Sequence, residues 1–346
     1  MKSNQLEHIR NICDGMKGHN YALPDCLKFI MEYKNDYNEL DFWNIAALTG
    51  DTVSQVYNHN ITTSCEYCVS GYLASKEYYS YIFSALNYNF EYADSKQIID
   101  NKNTYIKKII HYIDNGIPVL VKSNLNDIDA WKSDVGTHCL LVGYENDGKL
   151  LNLWGCGEKI IHYEINDNSN IELIFIGENQ RNISLEELYL KIIIKMPYWL
   201  TLPERNGMYF GASAFRAWAD DINAGRFEDK NLDLWCNYGV YVCNLATSGG
   251  EPTYIFRKLA SINPKYNNLS SVGEKIQKLI PAETPTGGRS KLWIELDELG
   301  GGMDINIVKA TMCDREKRLK IANALYHYAD RLDEVVKILK EAILSL

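Results

Sequence analysis

The stretch that decides the fold is Thr137–Tyr144, which reads THCLLVGY and is followed, after the polar turn Glu145–Gly148, by Leu150–Trp154, LLNLW. Both runs are short and apolar, and Asn-Asp-Gly between them is a turn sequence. We therefore expect a β-hairpin. Such a hairpin would place the imidazole of His138 beside the amide of Asn152.

Further short runs of β-forming residues flank this hairpin, at Ile117–Val121, Lys159–Ile165 and Ile171–Ile176. Their spacing predicts an antiparallel meander. Residues 18 to about 113 have mainly helical spacing, and Asn115-Gly116 ends that pattern. The first half of the chain is thus predicted to be helix first and sheet second.

The helical period returns after Gly177. Ser184–Glu187 reads SLEE, which is typical of a capping box, and Ala212–Ile222 predicts an amphipathic helix with Phe215 and Trp218 facing the core. A long helical pattern covers Arg315–Leu344. We expect an α+β protein with a helix-plus-sheet domain over residues 1–180 and an all-helical domain over residues 181–346.

Composition narrows the class of protein. The 346 residues carry a formal net charge of −9, and the basic residues are scattered, so nucleic acid is not an expected partner. No run approaches the roughly 20 apolar residues of a membrane span. Nine cysteines, an odd number without a compact framework, favour reduced thiols. The sequence therefore predicts a soluble, cytoplasmic protein with no membrane partner.

One thiol stands out from the other cysteines. Cys26 ends the stretch Asn20–Cys26, NYALPDC, and begins an apolar run with helical spacing. Unpaired backbone N–H groups and the dipole at a helix start favour a thiolate, which is the nucleophilic form. With His138 as base and Asn152 as orienting group, Cys26 completes the set that nucleophilic catalysis requires.

The order of these motifs resembles papain-like cysteine enzymes. Asp25-Cys26 is similar to the Asp-Cys of bacteriocin-processing peptidases, His138–Tyr144 to the His strand of papain-type enzymes, and Asn152–Gly155 to their Asn-Ser-Trp-Gly. The resemblance covers about residues 18 to 165. It implies that Cys26 is the nucleophile, His138 the base and Asn152 the orienter.

The same resemblance implies that Asn20, six positions before Cys26, helps to hold the oxyanion. The family commonly has Gln there, which is one methylene longer, and Leu27 stands where the bacteriocin-processing peptidases have glycine. In the C-terminal half, Tyr209–Asp221, YFGASAFRAWADD, resembles the helical region of butirosin biosynthesis protein H and its bacterial relatives. Those relatives imply acyl transfer to an amine.

The expected function is thiol-dependent acyl transfer, by a hydrolase or an amine acyltransferase, through a Cys26 acyl-enzyme. The substrate would be a small amide, ester or thioester, a peptide, or an acyl-carrier thioester. No cofactor or metal is expected, since Cys65–Cys68, CEYC, has no second CxxC. Two alternatives stay open: a catalytically silent papain-like binding protein, and a structural partner whose helical half forms a homo-oligomer.

Overall fold

The computed structural model describes residues 2–7, 21–36, 39–62, 68–123, 138–155, 160–248, 251–284 and 287–346. Within these residues the fold is α+β, with an antiparallel sheet and many helices. Four residues named in the sequence-based expectations lie outside the described residues: Asn20, Cys65, Thr137 and Lys159.

The chain forms two compact units. The sheet unit contains Met1–Ala46 and Ser70–Ile183, and the helical unit contains Ala47–Val69 and Ser184–Leu346. The sequence-based division assigns residues 47–69 to the N-terminal domain. In the structure they belong to the helical unit. The reason is that strand β2 (Val56–Asn58) pairs antiparallel with strand β9 (Met208–Phe210).

The sheet unit is built around a seven-stranded antiparallel sheet, in the order β3-β8-β4-β5-β6-β7 with β1 paired to β5. The strands are β1 (Asn4–Gln5), β3 (Tyr88–Ala93), β4 (Val119–Ser123), β5 (His138–Glu145), β6 (Leu150–Trp154), β7 (Ile161–Tyr163) and β8 (Ile171–Asn179). Only β4 to β7 follow the expected meander. β8 returns to pair with the other side of β4, and β3, in a region predicted to be mainly helical, pairs with β8.

Helices cover both faces of this sheet. The helices of the N-terminal half are α1 (Ala22–Tyr33), α2 (Phe42–Thr49), α3 (Val69–Leu73), α4 (Lys76–Ala85), α5 (Ser95–Asp100) and α6 (Lys102–Asp114). Phe83 of α4 packs on Phe90 of β3, with ring centroids 5.0 Å apart. Tyr112 of α6 packs on Phe175 of β8 at 5.2 Å. Since Phe90 and Phe175 alternate to opposite faces, α4 and α6 lie on opposite sides.

The helical unit confirms two predictions from the sequence. Ser184 and Glu187 form the capping box before α7 (Leu185–Leu200), with each side chain bonding the other residue's backbone N–H. Phe215 and Trp218 on α8 (Gly211–Asn223) are buried, with 2% and 0% of their surface exposed.

The remaining helices are α9 (Val240–Ser248), α10 (Glu251–Ile262), α11 (Asn267–Leu279), α12 (Lys291–Glu298), α13 (Ile305–Cys313) and α14 (Arg315–Ile343). A five-residue π-helix, Trp235–Gly239, precedes α9. The expectation of an all-helical half did not include the short β2–β9 pairing, or β10 (Ala282–Thr284) paired with β11 (Gly287–Ser290). Among the described helices, none combines the length and hydrophobicity of a membrane span.

Candidate functional site

The predicted hairpin is present, but its register separates His138 from Asn152. Leu140 lies opposite Trp154, and Gly143 lies opposite Asn152. Gly143 follows His138 by five residues, which at about 3.3 Å per residue is about 16 Å along the strand. The expected side-by-side placement of the imidazole and the amide is therefore not what the structure shows.

The side chain of Asn152 has other partners. Its Nδ2 atom donates to Oε1 of Gln5 at 3.1 Å, and its Oδ1 atom lies 3.0 Å from Nδ1 of His162. Asn152 is buried, and these bonds link β6 to β1 and β7. The Asn152 side chain thus has a structural role, because its hydrogen bonds connect three strands of the sheet.

His138 instead contacts a tyrosine. Its Nε2 atom lies 2.7 Å from the hydroxyl of Tyr79 on α4, and both residues are 0% exposed. Burial, followed by the nearby charge of Glu172, raises the pKa of Tyr79 well above its usual value. The hydroxyl therefore keeps its proton, and the bond joins a neutral tyrosine to the imidazole.

A charged pair lies beside His138 on the same face of the sheet. Lys122 of β4 is directly opposite His138, and Glu172 of β8 is directly opposite Lys122. The ammonium of Lys122 lies 3.2 Å from Oε1 of Glu172 and donates to the carbonyl of Ala74 at 3.0 Å. Burial, and next the positive charge of Lys122, lower the pKa of His138 from 6.5 to about 3. His138 is consequently neutral at physiological pH.

Cys26 lies on α1 and is 0% exposed. The helix begins at Ala22, so Cys26 is in its second turn and not at its start. At that position a backbone N–H is bonded within the helix, so the N–H of Cys26 is not available to hold an oxyanion. The thiol is within electrostatic reach of Tyr79, because the charged form of Cys26 contributes to the raised pKa of that tyrosine.

The hydroxyl of Tyr79 and the imidazole of His138 are thus bonded inside the sheet unit, and the Cys26 thiol lies close enough for its charge to act on Tyr79. The sequence predicted Cys26 and His138 as site residues. It did not single out Tyr79, which lies in the region predicted to be mainly helical. A tyrosine on a buried helix face needs a partner for its O–H, and that requirement is the signal that could have found it.

Tyr79 and His138 together have the chemical groups that proton transfer requires. A neutral imidazole accepts a proton, and the Tyr79 hydroxyl both donates and accepts. Within the described residues, no set of three His, Cys, Asp or Glu side chains is arranged to hold a metal ion.

Comparison with known proteins yields no match, neither to a protein-family model nor to a curated protein.

Proposed function

We propose that the sheet unit catalyses thiol-dependent acyl transfer through a Cys26 acyl-enzyme, in the manner of a papain-like cysteine enzyme. The observation that supports this most is the buried bond of 2.7 Å between the Tyr79 hydroxyl and Nε2 of His138, together with the electrostatic effect of the Cys26 thiol on that tyrosine. The substrate is a small amide, ester or thioester.

In this proposal the Cys26 thiol gives its proton to the Tyr79 oxygen while the Tyr79 proton passes to Nε2 of His138. The thiolate then attacks the substrate carbonyl and forms a thioester, and the leaving amine, alcohol or thiol takes the proton back. An imidazolium on His138 is costly where it is buried, but a thiolate formed nearby stabilises it. Water or an amine then accepts the acyl group. Asn152 has no part in this mechanism, because its side chain bonds to Gln5 and His162.

The test is acylation kinetics with a panel of N-acetylcysteamine thioesters and p-nitroanilides, with and without a primary amine. Cys26→Ser should abolish turnover and His138→Gln should lower it by about 10²-fold or more, the usual contribution of a general base. Cys313→Ser, which changes an exposed thiol in the helical unit, is the matched control and should leave turnover unchanged. Equal turnover of the wild type and Cys26→Ser would refute the assignment.

A binding protein without catalysis is the second candidate. It is favoured by the complete burial of Cys26 and His138 and by the bond that already engages Nε2 of His138. Under this alternative, a panel member would raise the melting temperature of the wild type and of Cys26→Ser equally, and no acyl adduct would form in either protein.

A further inference from the structure

The helical unit contains a second group of ionisable side chains, unrelated to Cys26. Tyr57 and His59 are two residues apart at the end of β2, so their side chains point to the same side of the strand. Asp221 lies in the last turn of α8, one turn after Trp218, whose ring stacks on Tyr57 with centroids 6.2 Å apart. The end of β2 and the end of α8 therefore bring His59 and Asp221 close together.

A single oxygen of Asp221 receives three donors. Its Oδ2 atom accepts from the Tyr57 hydroxyl at 2.5 Å and from Nη1 of Arg226 at 2.6 Å, and it lies 3.1 Å from Nδ1 of His59. Burial, and then the charge of Asp221, raise the pKa of Tyr57 well above its usual value, so this hydroxyl donates. The guanidinium and the hydroxyl both donate to this oxygen. At 3.1 Å, Nδ1 of His59 is placed to donate to the same oxygen, which puts the ring proton on Nδ1.

The backbone of His59 is also fixed. Its N–H donates to the carbonyl of Gly207 at 2.7 Å, and its own carbonyl accepts from Nη1 of Arg226. Yet 57% of the His59 side chain is exposed, against 9% for Asp221. With Nδ1 directed at the buried carboxylate, Nε2 lies on the other edge of this half-exposed ring.

A purely structural ion pair requires only Asp221 and Arg226. The imidazole adds an ionisable ring that the carboxylate orients through Nδ1 and that is more than half exposed, which is the arrangement that proton transfer uses. We propose that His59 and Asp221 form a second reaction site, in which Nε2 of His59 accepts a proton from a hydroxyl or amino group of a polar ligand. The electron pair of the broken bond stays on the ligand oxygen or nitrogen, and Asp221 stabilises the imidazolium.

The first test uses the unmodified protein. In long-range ¹⁵N–¹H spectra of ¹⁵N-histidine-labelled protein, with His59 assigned by its loss in His59→Gln, the ring should show the Nδ1–H tautomer near neutral pH. The exposed His327 on α14 serves as the reference. A His59 ring protonated on Nε2 would overturn the proposal, whatever the variants do.

The second test measures proton abstraction with 5-nitrobenzisoxazole. Loss of its C–H proton to a base breaks the N–O bond and gives a coloured cyanophenolate. In a Cys26→Ala background, which removes the proposed thiol chemistry, His59→Gln should lower the second-order rate constant about tenfold, less than for a base acting on a bound substrate. His327→Gln is the matched control and should leave the rate unchanged. Equal rates in the two variants would contradict the proposal and leave the Cys26 assignment untouched.

Discussion

Protonation of His138 should destabilise the protein below neutral pH, and the structure gives the size of the effect. The folded pKa of His138 is about 3 and its usual value is 6.5. A pKa that is lower in the folded state means that the unfolded chain binds the proton more strongly. The stabilising contribution is therefore complete above pH 6.5 and is lost as the pH falls from 6.5 toward 3.

One pKa unit corresponds to about 1.4 kcal/mol, so the free energy of unfolding should fall by about 2 kcal/mol between about pH 8 and about pH 5 from this group alone. His138→Gln supplies the comparison, since a glutamine amide can still bond to Tyr79 but does not titrate in this range. All other ionisable groups are common to both proteins and cancel in the difference between them.

The assay is urea unfolding of both proteins at the two pH values. The stability advantage of the wild type over His138→Gln should shrink by about 2 kcal/mol at the lower pH. A difference that does not change with pH would show that His138 titrates alike in both states, and that it is not the buried neutral imidazole described above.

Three further predictions concern stability and reactivity. Tyr79→Phe removes the buried bond to the ring nitrogen of His138 and should cost about 1–3 kcal/mol of unfolding free energy. Tyr144→Phe, which removes a bond to an exposed carboxylate, should cost less, and equal losses would contradict the buried bond. Gly211→Ala should lower the melting temperature, because Gly211 has φ = +55° and an added Cβ would meet the carbonyl of Leu200. An unchanged melting temperature would argue against this backbone conformation. Peptide mapping after brief iodoacetamide treatment should find the exposed Cys313 labelled before the buried Cys26, and the reverse order would show that Cys26 is accessible.

Local patterns were sufficient to predict several elements of this fold. The β5–β6 hairpin follows from two apolar runs around Asn-Asp-Gly, and the capping box and the buried face of α8 follow from helical spacing. In each case the residues that form the element are neighbours in sequence, so the local sequence pattern is enough to predict the element.

Elements that depend on long-range pairing were not predicted. Tyr88–Ala93, YNFEYA, alternates as a strand should, but it follows the aromatic residues of α4 and was assigned to the mainly helical region. Residues 47–69 belong to the helical unit because of partners about 150 residues away, such as the β2–β9 pairing. No local pattern contains that information.

The candidate site, too, was predicted from the sequence only in part. Residue type and order identified Cys26 and His138, but strand register decided that Asn152 faces Gly143 and bonds to Gln5 and His162. The bond between Tyr79 and His138 joins two residues that are 59 positions apart, and only the packing of α4 on the sheet produces it.

The most direct test of the central claim is to trap the acyl-enzyme. The wild type, incubated with an N-acetylcysteamine thioester and quenched in acid, should gain the mass of one acyl group, and peptide mapping should locate that group on Cys26. Cys26→Ser should gain none under the same conditions. An adduct on another residue, or acylation of the wild type and Cys26→Ser to the same extent, would contradict the claim that Cys26 is the nucleophile.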